Sequence, residues 1–303
     1  MEYVNGFRQA AVDRGIPSEE VEKFIGLLRF VICTSVTPSG APVGKLGGLP
    51  PLPVGMKWPS FRGYPLPFVA SFDCAALPRL DGLELPEDGS LLIFLHHEDA
   101  ADADSIDDEQ EHARLMHVPA GVATEEPAEP EVEPDTFARP RDFVAAEQLL
   151  FATVYGQWPE WLDVEESDLP EFQRQAAREL PHRRQLCALA AELWPEQWPY
   201  HPHIGGYPQI EWRFREHVNE IEEAHRNAKN TATPETLRAD GWTSAPSEQL
   251  ASGKEDEYRI VREWVSLVRF LPDEFHEARF MIHREDLAAG RLDKVLSCTE
   301  FLE

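Results

Sequence analysis

The sequence predicts an α+β fold that is mainly β, built from two diverged β-rich repeats with peripheral helices. A pattern of a basic residue, an aliphatic residue, two glycines, an apolar residue and proline occurs twice, at Lys45–Pro50 and His203–Pro208. Two short apolar runs follow each copy in the same order: Phe68–Phe72 and Leu91–Leu95, then Trp264–Phe270 and Arg279–Ile282. Internal duplication explains both observations, and the apolar runs have the length of core strands.

We predict one domain over residues 1–303, divided into five segments. They are an N-terminal helical segment (1–38), a first β-rich repeat (39–97), an acidic insertion (98–140), a helical, Trp-rich segment (141–200) and a second β-rich repeat (201–303). In the first segment, Ser18 can cap a helix whose apolar face includes Val21 and Phe24. The first repeat opens with proline and glycine punctuation, which excludes helix up to about residue 67.

Helical composition recurs in the middle of the chain. We predict helices over Phe143–Leu150 and Glu171–Leu193, with Pro181 breaking the second near Leu180. A further helix is expected within Glu216–Lys254. The aromatic residues around these helices are expected to pack against the sheet rather than to form a ligand cage.

Composition excludes several classes of protein. The chain has 303 residues, of which 42% are hydrophobic, so it can bury a sizeable core. Its apolar runs are far shorter than the roughly 18 to 20 residues of a membrane helix. The N-terminus lacks the pattern of a secretory signal, and we expect a cytoplasmic protein. Four widely spaced cysteines predict buried thiols rather than disulfides or a zinc knuckle.

The net charge of −27 is unevenly distributed. Between Glu98 and Asp135 there are fourteen acidic residues and one arginine, a net charge of −13. Such a field repels nucleic acid and anionic membranes, and it favours a cationic protein partner or metal ions. The alternative is a solvated acidic loop that only aids solubility.

The repeated glycine motif is the candidate site. Its minimal role is a tight turn into a strand, because paired glycines supply positive φ angles and the proline holds the exit extended. The functional alternative is an anion or carboxylate site made by exposed amides beside a basic side chain. The candidate ligand-binding residues are Lys45, Gly47, Gly48, Trp58, His203, Gly205, Gly206 and Tyr207.

These motifs resemble the YwqG-like family of bacterial proteins. The similar stretches are 47–59, 66–73 and 89–94 in the first copy, and 203–208, 264–265 and 284–290 in the second. The resemblance covers roughly residues 40–97 and 200–292. It implies a mostly β, roll-like fold of unassigned activity, in a family sometimes encoded near bacterial toxin and immunity genes.

The sequence departs from that family's pattern at polar positions. The family usually has Gln where Ser71 and Arg269 stand, and a Gly-Asp-x-Gly turn where Phe275–Ala278 stands. If those positions served a shared site, that site is altered in this chain.

A search for catalytic and metal motifs finds none that is complete. Residues 40–46 approach a phosphate-binding loop, but the glycine spacing is one residue short and Leu46 replaces the metal-binding Ser or Thr. The histidines His96, His97, His112 and His117 lie in the acidic segment without a fixed ligand spacing, so we expect a solvated loop and no metal or other cofactor. Cys74 is expected to be an inert buried thiol.

The function that we expect from the sequence is binding without catalysis. The lack of a catalytic motif, the acidic field and the family resemblance favour an immunity or inhibitor-like protein that recognises a cationic protein partner. The alternative is a small-molecule or enzymatic site in the cleft between the two repeats, using Lys45, Trp58, His203 and Tyr207. A metal-dependent regulator built on the acidic histidine segment is the weaker third hypothesis.

Overall fold

A computed structural model describes residues 2–130, 144–169, 171–195, 199–210, 213–221 and 259–302. Within these residues the main feature is an antiparallel sheet of ten strands. Its strands are β1 Arg29–Ser35, β2 Pro42–Leu46, β6 Phe68–Asp73, β7 Ser90–Leu95, β8 Ala113–Val118, β10 Gln148–Gln157, β11 His203–Gly205, β12 Trp264–Phe270, β13 His276–His283 and β14 Leu296–Phe301. Two small ribbons pair β3 Leu52–Pro53 with β9 Thr124–Glu125 and β4 Ser60–Phe61 with β5 Tyr64–Pro65.

Helices flank the sheet. They are α1 Glu2–Asp13, α2 Ser18–Ile25, α3 His97–Ala101, α4 Ile106–Glu109, α5 Glu171–Arg178, α6 Arg183–Leu193, α7 (residues 213–221), α8 (residues 259–263) and α9 Arg284–Ala288. Short 3-10 turns lie at Glu160–Leu162, Glu166–Asp168 and Leu292–Lys294. The prediction of an α+β, mainly β fold is therefore confirmed.

The strand order is symmetric about the centre of the sheet. It runs β14-β13-β12-β11-β1-β10-β2-β6-β7-β8, so that β11 corresponds to β2, β12 to β6, β13 to β7 and β14 to β8. Strand β1 precedes the predicted first repeat and pairs with β11 of the second, and β10 precedes the predicted second repeat and pairs with β2 of the first. Each repeat therefore begins one strand earlier than predicted, and the two repeats exchange these first strands, β1 and β10. This order is what an approximate two-fold axis between β1 and β10 produces, and it supports the predicted duplication.

The sheet curls into a nearly closed roll. Helices α3 and α4, which follow β7, pack on β14 near the opposite edge. There the Gln110 side chain accepts a hydrogen bond from the Ser297 amide (2.7 Å) and donates one to its carbonyl (2.9 Å). The largest apolar cluster includes residues from β1, β2, β6, β7, β10, β11, β12 and β13 and fills the interior.

Three smaller apolar clusters cover parts of the outer face. One joins α1, α2 and α6 to Phe30 and Tyr155 at the central strands, and a second joins α7 and α8 to Trp264 and Met281. The third packs the segment around Trp58 against β6 and β7. Because strands alternate in side-chain direction, β12 and β13 each contribute to both the interior cluster and an outer one.

The predicted N-terminal helical segment is correct only up to Ile25. Residues 29–35 form β1, a central strand of the sheet, because the sequence Arg-Phe-Val-Ile-Cys-Thr-Ser is rich in β-branched and apolar residues and has a pairing strand on both sides. The cap assignment is also wrong, because Pro17 occupies the N-cap position without a side-chain bond and Ser18 is the first helical residue. Val21 and Phe24 are buried, as the spacing predicted.

The predicted helix over Phe143–Leu150 is wrong where it can be compared. Residue 143 lies outside the described residues, and residues 148–157 form β10, the longest strand of the sheet. Two neighbouring strands, β1 and β2, pair with it, and its later residues Phe-Ala-Thr-Val-Tyr favour a strand. Helices α5 and α6 confirm the other helical prediction, including the break near Pro181.

The acidic segment is not the exposed excursion that we expected. Its first part forms α3, α4 and β8, and β8 pairs with β7 along six positions. Ala100, Ile106, Ala113 and Val118 are buried and anchor this part in the fold, although most of the surrounding acids face solvent. The remainder of the segment beyond residue 130 lies outside the described residues, as does most of the predicted helix within Glu216–Lys254.

No helix among the described residues combines the length and the apolar character needed to cross a membrane. All four cysteines are free and buried, as predicted. Burial raises the pKa of the Cys74 thiol to about 11, so this thiol has the inert character expected of it.

Candidate functional site

The first glycine motif is a structural turn. Gly47 and Gly48 both have positive φ (65° and 69°), and their amides donate to the carbonyls of Val69 (2.8 Å) and Ala145 (2.9 Å). A Cβ at Gly47 would lie 2.6 Å from a backbone carbonyl oxygen, so only glycine fits. Because both amides are occupied within the protein, these residues are poor candidates for the anion site.

The side chains near this motif are also engaged. Lys45 Nζ lies 2.8 Å from Glu147 and 3.2 Å from Glu126, which neutralise its charge. Trp58 donates its indole N–H to the Leu66 carbonyl (2.8 Å) and its ring packs edge-on against a core phenylalanine. Trp58 therefore belongs to an outer apolar cluster.

The second motif repeats the turn in a different environment. Gly205 and Gly206 have φ of 84° and 86°, and a Cβ at Gly206 would lie 2.3 Å from Gln157 Oε1. His203 is buried, and desolvation, with the nearby charge of Arg269, lowers its pKa to about 4. Tyr207 donates its hydroxyl proton to the Leu27 carbonyl. The neutral imidazole excludes His203 as a fixed positive charge.

The two motifs hold corresponding places but do not form one site. Lys45 lies opposite Leu149 and Ser71, just as His203 lies opposite Cys33 and Arg269. Strands β1 and β10 separate them, which at about 4.8 Å per strand spacing makes roughly 14 Å. Lys45 and His203 therefore lie apart in the sheet, and a site that combines Lys45, Trp58, His203 and Tyr207 stays a prediction.

A cleft of about 1240 Å³ opens beside the second motif. The cleft lies beside β1, β11 and β12. Two of the outer apolar clusters border it: the cluster of α1, α2 and α6 and the cluster of α7 and α8. Gly205, Gly206 and Tyr207 line it, whereas Lys45 and Trp58 do not. Aromatic side chains of one outer apolar cluster also line it: Phe30, Tyr155, Trp158, Trp161 and Trp194.

Arginine dominates the charge of the cleft. Its charged lining residues are Arg29, Arg262, Arg269, Arg279 and Arg284 on the positive side and Asp81, Glu160 and Asp163 on the negative side. The balance is positive here, although acids outnumber Lys and Arg by 55 to 28 in the whole chain. Arginines of the lining that lack a counter-charge favour an anionic ligand.

Arg29 is the central feature of the cleft. Its guanidinium stacks over the Tyr207 ring, 4.4 Å from the centroid, and its Nη2 donates to the Val261 carbonyl (2.8 Å). Its Nη1 is buried and has no hydrogen-bond partner. Burial, with the charge of nearby Arg284 as a smaller cause, lowers the pKa of Arg29 to about 10. The guanidinium thus remains charged at neutral pH with one donor unused.

Arg284 supplies the second guanidinium. Its Nε donates to the Arg262 carbonyl (2.9 Å) and its Nη1 to the Gly82 carbonyl (3.0 Å). The carbonyls that hold Arg29 and Arg284, those of Val261 and Arg262, belong to α8. Among the described residues neither Arg29 nor Arg284 forms an ion pair with a carboxylate, so two neighbouring positive charges lack a counter-charge.

Arg269 and Arg279, in contrast, are neutralised. They lie directly opposite each other on β12 and β13, and the buried Glu277 accepts from both. Glu300 on β14 also pairs with Arg279. This ion network fixes one wall of the cleft, whereas Arg29 and Arg284 have no carboxylate partner among the described residues.

A separate polar cluster could hold a metal ion. His97, Asp273 and His276 each offer a donor atom, and these atoms all lie within 4.8 Å of one another. The other histidines of the acidic segment do not converge on it: His117, for example, bonds to the Asp88 carbonyl. The cluster therefore combines His97, which the sequence analysis assigned to a solvated loop, with Asp273 of the β12–β13 turn and His276 at the start of β13.

The fold and the cleft define a class of protein, a duplicated and mainly β roll with an arginine-lined cleft where the repeats meet. A family model described as Domain of unknown function (DUF1963) matches residues 44–299, and the chain belongs to that family. The match begins within β2, so β1 with Arg29 precedes it. No curated protein matches the chain.

Sequence reasoning missed Arg29, Arg284 and the partners of His97. One signal was available, because the sequence His-x-Glu-Asp occurs twice, at 96–99 and at 283–286. Each copy follows a strand and begins a helix, with the histidine side chain accepting a hydrogen bond at the N-cap. This second repeated motif would have drawn attention to His97 and Arg284.

Proposed function

We propose that this protein binds a small organic anion in the arginine-lined cleft. The carboxylate or phosphate of the ligand is held between Arg29 and Arg284, and its apolar part lies against the aromatic wall that includes Trp194. The observation that carries the proposal is the buried, unused Nη1 donor of Arg29. An unpaired buried donor costs about 1–3 kcal/mol, and a charged group costs more, so it is best explained by a ligand that pairs with it.

The chemistry of the cleft suits such a ligand. Planar guanidinium groups recognise carboxylates and phosphates through paired hydrogen bonds. Ligand sites are usually concave and mostly apolar, with a few convergent polar groups, and the cleft has this composition. The size of the cleft leaves room for a ligand of several rings or a short chain.

Binding is favoured over catalysis. Cys33, a potential nucleophile in the lining, has its pKa raised to about 12 by burial, so its thiol stays protonated at neutral pH. His203 lies beside Cys33 in the sheet but belongs to the buried layer rather than to the cleft lining. A nucleophile paired with a basic group in reach of a ligand is therefore not formed by these two residues.

Native mass spectrometry tests this function. The purified protein should retain an anionic small molecule that is released on denaturation and that a double variant, Arg29→Met with Arg284→Met, does not retain. Arg291→Met is the matched control, because Arg291 is exposed, pairs with Asp286 and does not line the cleft. Retention of the same molecule by the double variant would contradict the proposal.

A cationic protein partner is the second candidate, and it also rests on an observed surface. The region of α3 and α4 exposes six carboxylates, those of Asp99, Asp102, Asp104, Asp107, Asp108 and Glu111. An immunity or inhibitor-like role in a YwqG-like bacterial protein would use this surface to attract a basic partner. The cytoplasmic location expected from the sequence likewise stays a prediction.

Binding kinetics separate this candidate from the first. Association with a basic partner recovered by affinity purification should slow steeply with salt and with replacement of five of these acids, from Asp102 to Glu111, by Asn and Gln. Glu109 must be left unchanged because it is buried. An association rate indifferent to both changes would reduce the acidic surface to a solvated one.

A further inference from the structure

The cluster of His97, Asp273 and His276 is held by contacts on several sides. His97 Nε2 lies 3.0 Å from Asp273 Oδ2, and His276 Nδ1 lies 2.8 and 3.0 Å from the two Asp273 oxygens. The Phe275 amide donates to Asp273 Oδ1 (2.8 Å), which fixes the carboxylate. The His276 ring packs between the rings of His97 (5.1 Å) and Phe301 (4.2 Å).

The spacing of the donor atoms matches that of ligands around one ion. Two ligand atoms bonded at about 2.0–2.1 Å lie roughly 2.8–3.4 Å apart at octahedral or tetrahedral angles. The separations between the imidazole nitrogens and the Asp273 oxygens are 2.8 and 3.0 Å, so small shifts would bring these atoms into a coordination sphere. Two imidazoles and one carboxylate are a ligand set typical of zinc, iron and other divalent transition metals.

The simplest alternative is a set of hydrogen bonds between two histidines and an aspartate. His276 Nε2 is buried without a hydrogen-bond partner whether Nδ1 bonds to Asp273 or to an ion, so this nitrogen does not separate the two arrangements. His97 and Asp273 remain partly exposed, with side-chain exposures of 30% and 35%, so an ion from solvent can reach them. Geometry and access are thus both compatible with a metal ion.

We propose that His97, Asp273 and His276 form a binding site for a divalent transition-metal ion that joins the two repeats. His97 belongs to α3 of the first repeat, whereas Asp273 lies in the β12–β13 turn and His276 begins β13 of the second. The ion therefore cross-links the two repeats of the roll. Three protein ligands leave at least one position for water or an exogenous ligand. The site is distinct from the arginine-lined cleft and does not depend on its function.

Cobalt titration of the full chain tests the site. The wild-type protein should bind one Co²⁺ ion with the visible absorption of nitrogen and oxygen coordination, in about 0.3 M sodium chloride to screen the acidic surface. His97→Gln and Asp273→Asn should each weaken this binding by at least about tenfold. His182→Gln is the control, because His182 forms a two-membered pair with Glu20 (2.8 Å) away from the cluster.

Circular dichroism on the same samples separates loss of ligands from loss of folding. His97→Gln replaces a partly exposed side chain, so its circular dichroism spectrum should match that of wild type. If Asp273→Asn unfolds, the cobalt affinity of His97→Gln alone tests the proposed site. The proposal is overturned if the wild-type protein shows no saturable cobalt spectrum. It is equally overturned if folded His97→Gln binds cobalt as the wild type does, which would assign the ion to the acidic surface.

Discussion

His97 and Arg284 occupy corresponding positions in the two repeats, and each side chain reaches across to the other repeat. Each follows a histidine N-cap at the start of the helix after β7 or β13. His97 Nε2 contacts Asp273 in the β12–β13 turn at 3.0 Å, and Arg284 Nη1 contacts Gly82 in the β6–β7 connection at 3.0 Å. The residue after the histidine N-cap thus belongs to the histidine cluster in the first repeat, as His97, and to the arginine-lined cleft in the second, as Arg284.

Replacing Gly206 by alanine should destabilise the protein by more than the same change at Gly55. Both glycines have positive φ, which costs an L-residue about 1–2 kcal/mol. A Cβ at Gly206 would also lie 2.3 Å from Gln157 Oε1, whereas nothing lies within 4 Å of one at Gly55. Urea denaturation of both variants measures the difference, and equal losses would show that the tight packing of the second motif is unimportant.

The pH dependence of stability should report on Glu109. Burial raises the pKa of this carboxyl from its ordinary value of 4.5 to about 8, so the folded state keeps a proton that the unfolded state loses at much lower pH. Between those values the unfolded state binds fewer protons, and stability falls as pH rises, by at most about 1.4 kcal/mol per pH unit. Glu109→Gln removes this effect, so its stability relative to wild type should rise from pH 5 to pH 8. A constant difference between the two proteins would contradict the buried, protonated carboxyl.

His203 should have the opposite effect on the acid side. Desolvation lowers its pKa from the ordinary value of 6.5 to about 4, so the unfolded state binds more protons than the folded state between these values. Stability is therefore fully present above pH 6.5 and is lost as pH falls toward 4. Denaturation curves of His203→Gln should show a shallower acid slope than wild type. Parallel slopes would mean that His203 is charged or exposed in the folded protein.

The ion network beside the cleft should be sensitive to its central acid. Glu277→Gln leaves Arg269 and Arg279 facing each other in a buried layer, and the loss of one buried partner costs about 3–5 kcal/mol. Glu300→Gln removes only the more exposed partner of Arg279 and should cost clearly less. Chemical denaturation measures the free energy of unfolding of both variants. A larger decrease for Glu300→Gln than for Glu277→Gln would contradict the central position of Glu277 in the network.

Much of the fold could be predicted because its signals are local. The glycine motif, the apolar runs of β7 and β12 and the break at Pro181 are each short patterns, and the structure confirms them. Strands β1 and β10 were missed because hydrogen bonds to neighbouring strands of the sheet, rather than local sequence, hold them in the extended conformation. The helical composition of nearby residues led us to extend the predicted helices into both strands. The acidic segment was misjudged because a few buried residues, such as Ile106, anchor α4 despite the surrounding charge.

The sites could not be predicted because their members come from distant parts of the chain. Arg29 and Arg284 are 255 positions apart in the sequence, and His97 and Asp273 are 176 positions apart. Only the exchange of first strands and the curl of the sheet bring them together.

Thermal unfolding in inorganic phosphate tests the central claim, that Arg29 and Arg284 form an anion site, most directly. Wild type, the Arg29→Met/Arg284→Met variant and Arg291→Met are compared in phosphate and in sodium chloride of equal ionic strength, so that general salt effects act on all three. A bound anion stabilises the folded state by RT ln(1 + [L]/Kd), about 1.4 kcal/mol at ten times Kd. We expect phosphate to raise the Tm of wild type and of Arg291→Met by several degrees more than the Tm of the Arg29→Met/Arg284→Met variant. An equal rise in all three proteins would contradict it.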